Sequence, residues 1–204
     1  MLNVSLVTML FGITEPLFVP GYWNPPTLFD LAARTGFDIE SFVFTFSIGG
    51  IGSVLYKLVN KLDNEPFQPD ERNSKRHRIH YYVLFIPAII FVPLALLSNL
   101  NHIYCGIIAM FLGAVATLYC RPDLNKKILI GGILFLFIYF IFFEMLTLFN
   151  PGYVEKVWNL KVISGILVFG IPLEELLWGF TFGMYWSSIY EHLLWYKLKN
   201  RKLI

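Results

Sequence analysis

The sequence predicts an all-α polytopic membrane bundle of about six transmembrane helices with two parallel hairpin repeats, on three observations. Of 204 residues, 56% are hydrophobic and only 15% are charged, and the mean hydropathy is +0.61. A soluble domain carries about 25% charged residues, so this chain has too few to clothe a globule in water. Apolar segments of bilayer length recur along the whole chain. Lysine and arginine segregate into alternate loops.

A hydrocarbon core of about 30 Å takes roughly 20 apolar residues of helix. The first candidate is 2–19; its sequence lacks a basic n-region and a small-residue cleavage site, so it reads as a span rather than a signal peptide. Segments 37–58, 81–98, 102–120 and 128–149 follow. The last, 164–196, is too long for one crossing, and Pro172 divides it into a short lead-in and a helix starting near Leu173. The whole of 1–204 reads as one integral membrane domain: repeat one at about 11–60, a basic loop at 59–80, spans three and four within 81–120, and repeat two at about 139–192.

The basic residues orient this arrangement. Lys57, Lys61, Arg72, Lys75, Arg76, Arg78, Arg121, Lys126, Lys127, Lys197, Lys199, Arg201 and Lys202 fall on one side, leaving Arg34, Lys156 and Lys161 on the other. The positive-inside rule puts the larger set and both termini in the cytoplasm of a cell membrane. The basic loop, with His77 and His80, is either a retained cytoplasmic loop or a contact for anionic lipid. A net charge of +2 is too small to point to nucleic acid. Cys105 and Cys120 lie about 22 Å apart on one helix, beyond disulfide reach, and read as small apolar residues.

The two hairpins repeat a pattern. Each has a glutamate near the end of a span (Glu15, Glu144), then Pro-Gly-Tyr ending at Tyr22 or Tyr153, then a loop with tryptophan and asparagine. A second glutamate (Glu40, Glu174) opens the next span, and a tyrosine follows sixteen residues later in both copies, at Tyr56 and Tyr190. Both copies run in the same direction, so they suit a pseudo-two-fold axis along the membrane normal and two similar half-sites.

Acids bordering spans are costly to keep there and point to function. Glu15, Glu40, Glu144, Glu174 and Glu175 all map to the outer half of the six-span arrangement. Glu40, Glu174 and Glu175 fall in first helical turns, where the free N–H groups alone would favour a carboxylate; a purely structural role therefore stands beside a chemical one. Paired carboxyls in different environments can divide the work of acid and base. Aromatic residues surround them, Phe42, Phe44 and Phe46 in copy one and Trp178, Phe180 and Phe182 in copy two. Aromatic faces stabilise cations, but residues two apart do not share a helix face; Phe44 and Trp178 are the pair assigned to substrate. Tyr22, Trp23, Tyr153 and Trp158 serve either a substrate mouth or the membrane interface.

Other chemistries find little support. Neither a dinucleotide nor a phosphate-binding glycine motif occurs. His77, His80, His102 and His192 are scattered in the sequence without metal-ligand spacing, so no metal is expected. No nucleophilic serine or cysteine has a histidine beside it in sequence.

Asn150–Tyr153 (NPGY), Gly170–Glu175 (GIPLEE) with Trp178, and Tyr190-Glu191, together with VPGYWNPP, DIESFVF and Tyr56 in copy one, resemble the membrane lycopene cyclase family of heterodimeric or fused type. The resemblance covers roughly 11–60 and 139–192. It implies acid-catalysed cyclisation of acyclic carotenoid ends: a carboxylic acid protonates the terminal double bond, a neighbouring double bond closes a six-membered ring on the cation, and a base removes a proton. This redox-neutral isomerisation implies no cofactor, a hydrophobic carotenoid or isoprenoid substrate and membrane lipid as surroundings; homo- or hetero-oligomerisation is left open. By resemblance Glu174 and Glu175 carry the acid/base motif with Pro172, and Glu40 is their copy-one equivalent; Glu15, Glu144, Tyr22, Tyr153, Pro172, Phe44 and Trp178 are assigned to substrate. Copy one departs from the pattern, with Asp38 for Pro172 and Ser41 for Glu175, so one half-site can be degenerate. A related hydratase, in which water traps the cation, and a non-catalytic lipid-binding or assembly protein are the alternatives.

Overall fold

A computed structural model describes residues 1–200; Arg201 and Lys202 of the basic tail lie outside the described residues. Six principal helices carry the fold. α1 (Leu2–Met9) continues as a 3-10 helix over Leu10–Leu17, and α2 spans Ile39–Asn60. α3 (His80–Leu97), α4 (His102–Cys120), α5 (Asn125–Phe149) and α6 (Leu173–Leu193) follow. Four of these, from α2 to α5 with short extensions, are long and apolar enough to cross a membrane.

α6 is not one of the four, although its 21 residues measure about 31 Å. The reason is its position. α6 packs against α5, α4 and α2 and is buried along most of its length, from Glu174 and Glu175 to Glu191 and His192. A helix surrounded by other helices has no need of an apolar face toward lipid. The outer helices show the opposite pattern: Phe85, Ile89, Val92 and Leu96 on α3 and Ile133, Phe137 and Ile141 on α5 are exposed. Such a belt of exposed apolar side chains is that of a membrane protein.

Glycine sets the approach of helices where association relies on close packing. A Cβ at Gly183 would lie 2.5 Å from the Phe135 Cβ and 3.0 Å from the Gly131 carbonyl oxygen, and one at Gly49 would lie 2.1 Å from the Thr8 hydroxyl. The α5–α6 and α1–α2 hairpins are therefore closed by the same device. Gly183→Leu is expected to lower the unfolding temperature in detergent, with a cost of about 1–3 kcal/mol or more from overpacking against backbone. Thermal unfolding followed by tryptophan fluorescence measures it.

The lead-in to α6 is a short hairpin, with β2 (Leu167–Val168) antiparallel to β3 (Ile171–Pro172). Helix α6 begins at Leu173, directly after Pro172, as a proline that cannot donate to a preceding turn favours. The fold departs from all-α at a second place. β1 (Leu62–Pro66) pairs antiparallel with β4 (Tyr196–Asn200), Asn64 opposite Leu198. The basic loop is thus folded against the C-terminal segment, where Phe67 lies under the Arg121 guanidinium at 4.3 Å and under Lys197 at 4.9 Å.

Equivalent positions of the two hairpins, related by the constant offset of 134 from Glu40 to Glu174, meet one another at successive levels. The Phe44 and Trp178 rings stack at 6.2 Å. Lys57 forms an ion pair with Glu191 at 3.1 Å. Lys61 and Trp195, just past the ends of the two helices, both have a left-handed backbone, and the strands that follow them pair with each other about Asn64 and Leu198. At the other end the loops differ in length and the offset no longer holds, but they still meet: Trp23 bridges Trp158, with Asn24 N–H donating to the Val157 carbonyl and Asn159 N–H to that of Tyr22.

The basic end also buries charge. Glu191 is fully buried and pairs with Lys127 as well as Lys57, while Arg121 donates to the carbonyls of Glu191 at 3.1 Å and Tyr196 at 2.6 Å and to Asp123.

Candidate functional site

A cavity of about 340 Å³ opens between the two hairpins at the end opposite the basic cluster. Glu15, Tyr22, Glu40, Phe44, Tyr153, Glu175 and Trp178, all expected at a site from the sequence, line it. Its other walls include the aromatic residues Phe11, Phe18, Trp23, Tyr139, Phe142, Phe143 and Trp158.

Glu175 is the most tightly held acid. Its Oε1 accepts from the Tyr22 hydroxyl at 2.6 Å and from Trp158 Nε1 at 2.8 Å, and its Oε2 accepts from the Tyr139 hydroxyl at 2.6 Å. Both oxygens act as acceptors, the arrangement of a carboxylate. The donors come from the loops of both copies and from α5, so this one side chain ties the hairpins together. The Tyr22 phenol is pushed up well above its ordinary range, first by burial and then by the Glu175 carboxylate beside it.

Glu15 reaches the cavity through a change of helix type. In a 3-10 helix, with three residues per turn, positions i and i+3 share a face. Gly12 and Glu15 are the buried residues of that segment, and Phe18 continues the line into the cavity. Glu15 Oε1 is buried with no hydrogen-bond partner; Ser41, Trp23 and Asp38 are its polar neighbours. Glu144 does not match it. On α5 the cavity face is Tyr139, Phe142, Phe143 and Leu146, the i, i+3, i+4, i+7 stripe of an α-helix, and Glu144 stands one residue off that stripe, half-buried and outside the cavity lining.

Glu174 likewise turns away from the lining. Its Oε1 accepts from the Tyr104 hydroxyl at 2.5 Å and the Ser164 N–H at 2.9 Å, so it fastens α4 and the lead-in segment to the start of α6. Adjacent residues on a helix point about 100° apart, which separates the two glutamates into one facing the cavity and one facing the hairpin. Pro172, buried and outside the lining, fixes where α6 begins. Glu40 is exposed at the cavity, its Oε1 accepting from the Leu28 N–H at 2.6 Å. Asp38 caps α2 through the Ser41 N–H at 2.6 Å, the place Pro172 takes at α6.

The aromatic residues sort by helical spacing. Trp178, Phe182 and Trp186, each four apart, form a continuous stack at 5.0 and 5.3 Å. Phe180, two residues from Trp178, packs instead near Gly132. Tyr139 and Tyr104, the hydroxyl partners of Glu175 and Glu174, are the side chains of the candidate site that sequence reasoning missed. Tyr139 is the lone hydroxyl in the run LFLFIYFIFF and lies four residues before Phe143; that isolated polar atom on an otherwise apolar stripe was the available signal.

Three of the four histidines come together in the fold. They are scattered in sequence, but His77 and His80 meet Cys120, with the potential ligand atoms of all three within 4.8 Å of one another. His192 stacks on His80 at 4.0 Å. Only His102 stands apart from them, its ring nitrogen on the Leu17 carbonyl.

Fold and site together define a helical membrane protein with a small acid-lined aromatic cavity. The lycopene cyclase family model matches residues 101–193, the stretch that holds Tyr104, Tyr139, Trp158, Glu174, Glu175 and Trp178. Over these residues, 93 of the 204, the chain is similar to the lycopene cyclase family, a likeness that points to carotenoid cyclisation in general. Comparisons with curated proteins and with solved structures gave no match.

Proposed function

We propose that the chain is a lycopene cyclase-like isomerase that closes the end group of an acyclic carotenoid in the cavity between the hairpins. The observation that carries this reading is the pairing, in one aromatic cavity, of two differently held carboxyls: Glu175, with three donors, and Glu15, whose Oε1 has none. Glu15 delivers the proton to the terminal double bond. The neighbouring double bond attacks the cation and closes the ring. Glu175 and the faces of Phe44, Trp178 and Phe143 stabilise the positive charge, and a carboxylate takes the proton from the ring. One proton enters and one leaves, so the step is an isomerisation. Glu40, exposed at the same cavity, is the acid there with access to water. Tyr153 and Tyr22 border the mouth, and Glu174 and Pro172 position α6.

The cavity volume supports one end of the substrate rather than a whole long polyene, since about 300–1,000 Å³ encloses a drug-sized ligand. The remaining chain lies in lipid. The orientation follows from six crossings. The α1 segment reaches about 28 Å because its second half rises about 2 Å per residue, and α6 makes the sixth. The basic end and both termini are then cytoplasmic, and the cavity faces the outer leaflet.

Expression in a lycopene-accumulating host, with pigments separated by chromatography, tests this. Cyclic product is expected from the wild type and its loss from Glu15→Gln at unchanged protein level; Glu40→Gln and Glu174→Gln are expected to reduce it less. Hydroxylated acyclic product would mean a hydratase. Unchanged lycopene with a well-expressed wild type would overturn the catalytic reading in favour of a lipid-binding or assembly role.

A further inference from the structure

The cluster at the basic end uses none of the residues that line the cavity. His77 lies in a 3-10 turn over Lys75–Ile79, His80 opens α3, and Cys120 ends α4. Three residues per turn bring His77 and His80 to the same side. Cys120 Sγ stands 3.6 Å from Nδ1 of His77 and 3.6 Å from Nδ1 of His80. A thiol has a single proton and cannot donate to both nitrogens.

Without a metal, one imidazole would have to donate to the sulfur and the other accept from it; a metal ion accounts for both contacts in one way, with both nitrogens as ligands. With sulfur about 2.3 Å and nitrogen about 2.0–2.1 Å from zinc at the tetrahedral angle, sulfur and nitrogen are separated by about 3.6 Å. The donor set of one thiolate and two imidazoles suits zinc and excludes magnesium and calcium, which require oxygen.

The surroundings hold the rings in place. Trp195 stacks on His80 at 3.6 Å and meets His77 edge-on at 5.1 Å. His192 Nε2 stands 3.0 Å from the His80 carbonyl. Cys120 and His80 are buried. Arg121, next to Cys120 in the chain, is paired with the Asp123 carboxylate at 2.7 and 2.8 Å, which offsets part of its positive charge beside the cluster.

We propose that His77, His80 and Cys120 form a zinc site that staples the basic loop to the end of the α3–α4 hairpin. Binding takes the thiol proton into solvent and leaves a Zn–S bond, with no change of oxidation state. A fourth position is left for water or a further donor. The role is structural, because the site stands apart from the cavity.

The test uses the full chain, purified in detergent with a histidine-free tag, loaded with zinc and then with cobalt(II). One zinc per chain is expected by elemental analysis. The cobalt form is expected to show a thiolate-to-metal charge-transfer band and the intense visible bands of a tetrahedral site. Cys120→Ser and His77→Ala are expected to lose stoichiometric metal, and Cys105→Ser to keep it. Substoichiometric zinc in the wild type, or a cobalt spectrum without the thiolate band, would overturn the proposal without recourse to any variant. Retention of the full metal content by Cys120→Ser would do so as well.

Discussion

Glu191→Leu is expected to lower stability in detergent by about 3–5 kcal/mol, the cost of leaving a buried charge without its partner. Glu191 is fully buried and meets two ammonium groups, Lys127, itself buried, and Lys57. The Lys57 contact at 3.1 Å is an attraction of charges rather than an aligned hydrogen bond, since Glu191 Oε1 has no hydrogen-bond partner. Lys127 therefore suffers most from the substitution. Two rescue variants separate lost attraction from stranded charge. Lys127→Met in the Glu191→Leu background is expected to recover much of the loss, because an apolar pair of similar volume avoids the desolvation of both ions. Lys57→Met in the same background is expected to recover less, since Lys57 is partly exposed and reaches water. Equal rescue by both would contradict this account. Chemical denaturation monitored by tryptophan fluorescence gives the comparison.

The triad also shows how far the sequence carried the fold. The helix start at Leu173 was legible because proline imposes it locally, and the repeat was legible because sixteen residues separate acid from tyrosine in both copies. That Lys57 and Glu191 would pair was not legible, because the contact depends on how the two hairpins face each other. The β1–β4 ladder was hidden for a similar reason: LDNEP lacks the apolar alternation of a strand, and the alternation in YKLKN is only four residues long; the two pair because the helices end side by side. Glu15 was expected at the site on the strength of its match to Glu144, yet it is placed there by 3-10 winding, for which Pro16 is the only local cue. The zinc cluster was overlooked because its members lie 40 and 43 positions apart, outside any short motif.

Glu175→Gln is expected to reduce cyclic product by about 10²–10³-fold, the usual effect of removing one electrostatic contact to a developing charge. The substitution keeps the side-chain shape. It replaces an acceptor oxygen by an NH₂ donor and removes the negative charge. At Oε1 the Trp158 indole and the Tyr22 hydroxyl can still donate. At the other atom the Tyr139 hydroxyl, which donates in the native protein, must rotate to accept from the new amide. The packing survives at small cost, because a hydroxyl can reverse its role. The charge cannot be restored in that way. Tyr139→Phe provides the internal control: it removes one of three hydrogen bonds and leaves the carboxylate charged. Its expected loss is about 10-fold, the equivalent of roughly 1.4 kcal/mol. Quantitative pigment chromatography at matched protein levels ranks the two. If Tyr139→Phe were as damaging as Glu175→Gln, the cavity would depend on a rigid hydrogen-bond network rather than on negative charge. If both retained wild-type product, Glu175 would be a structural tie between the hairpins, and the chemistry would belong to Glu15 and Glu40 alone.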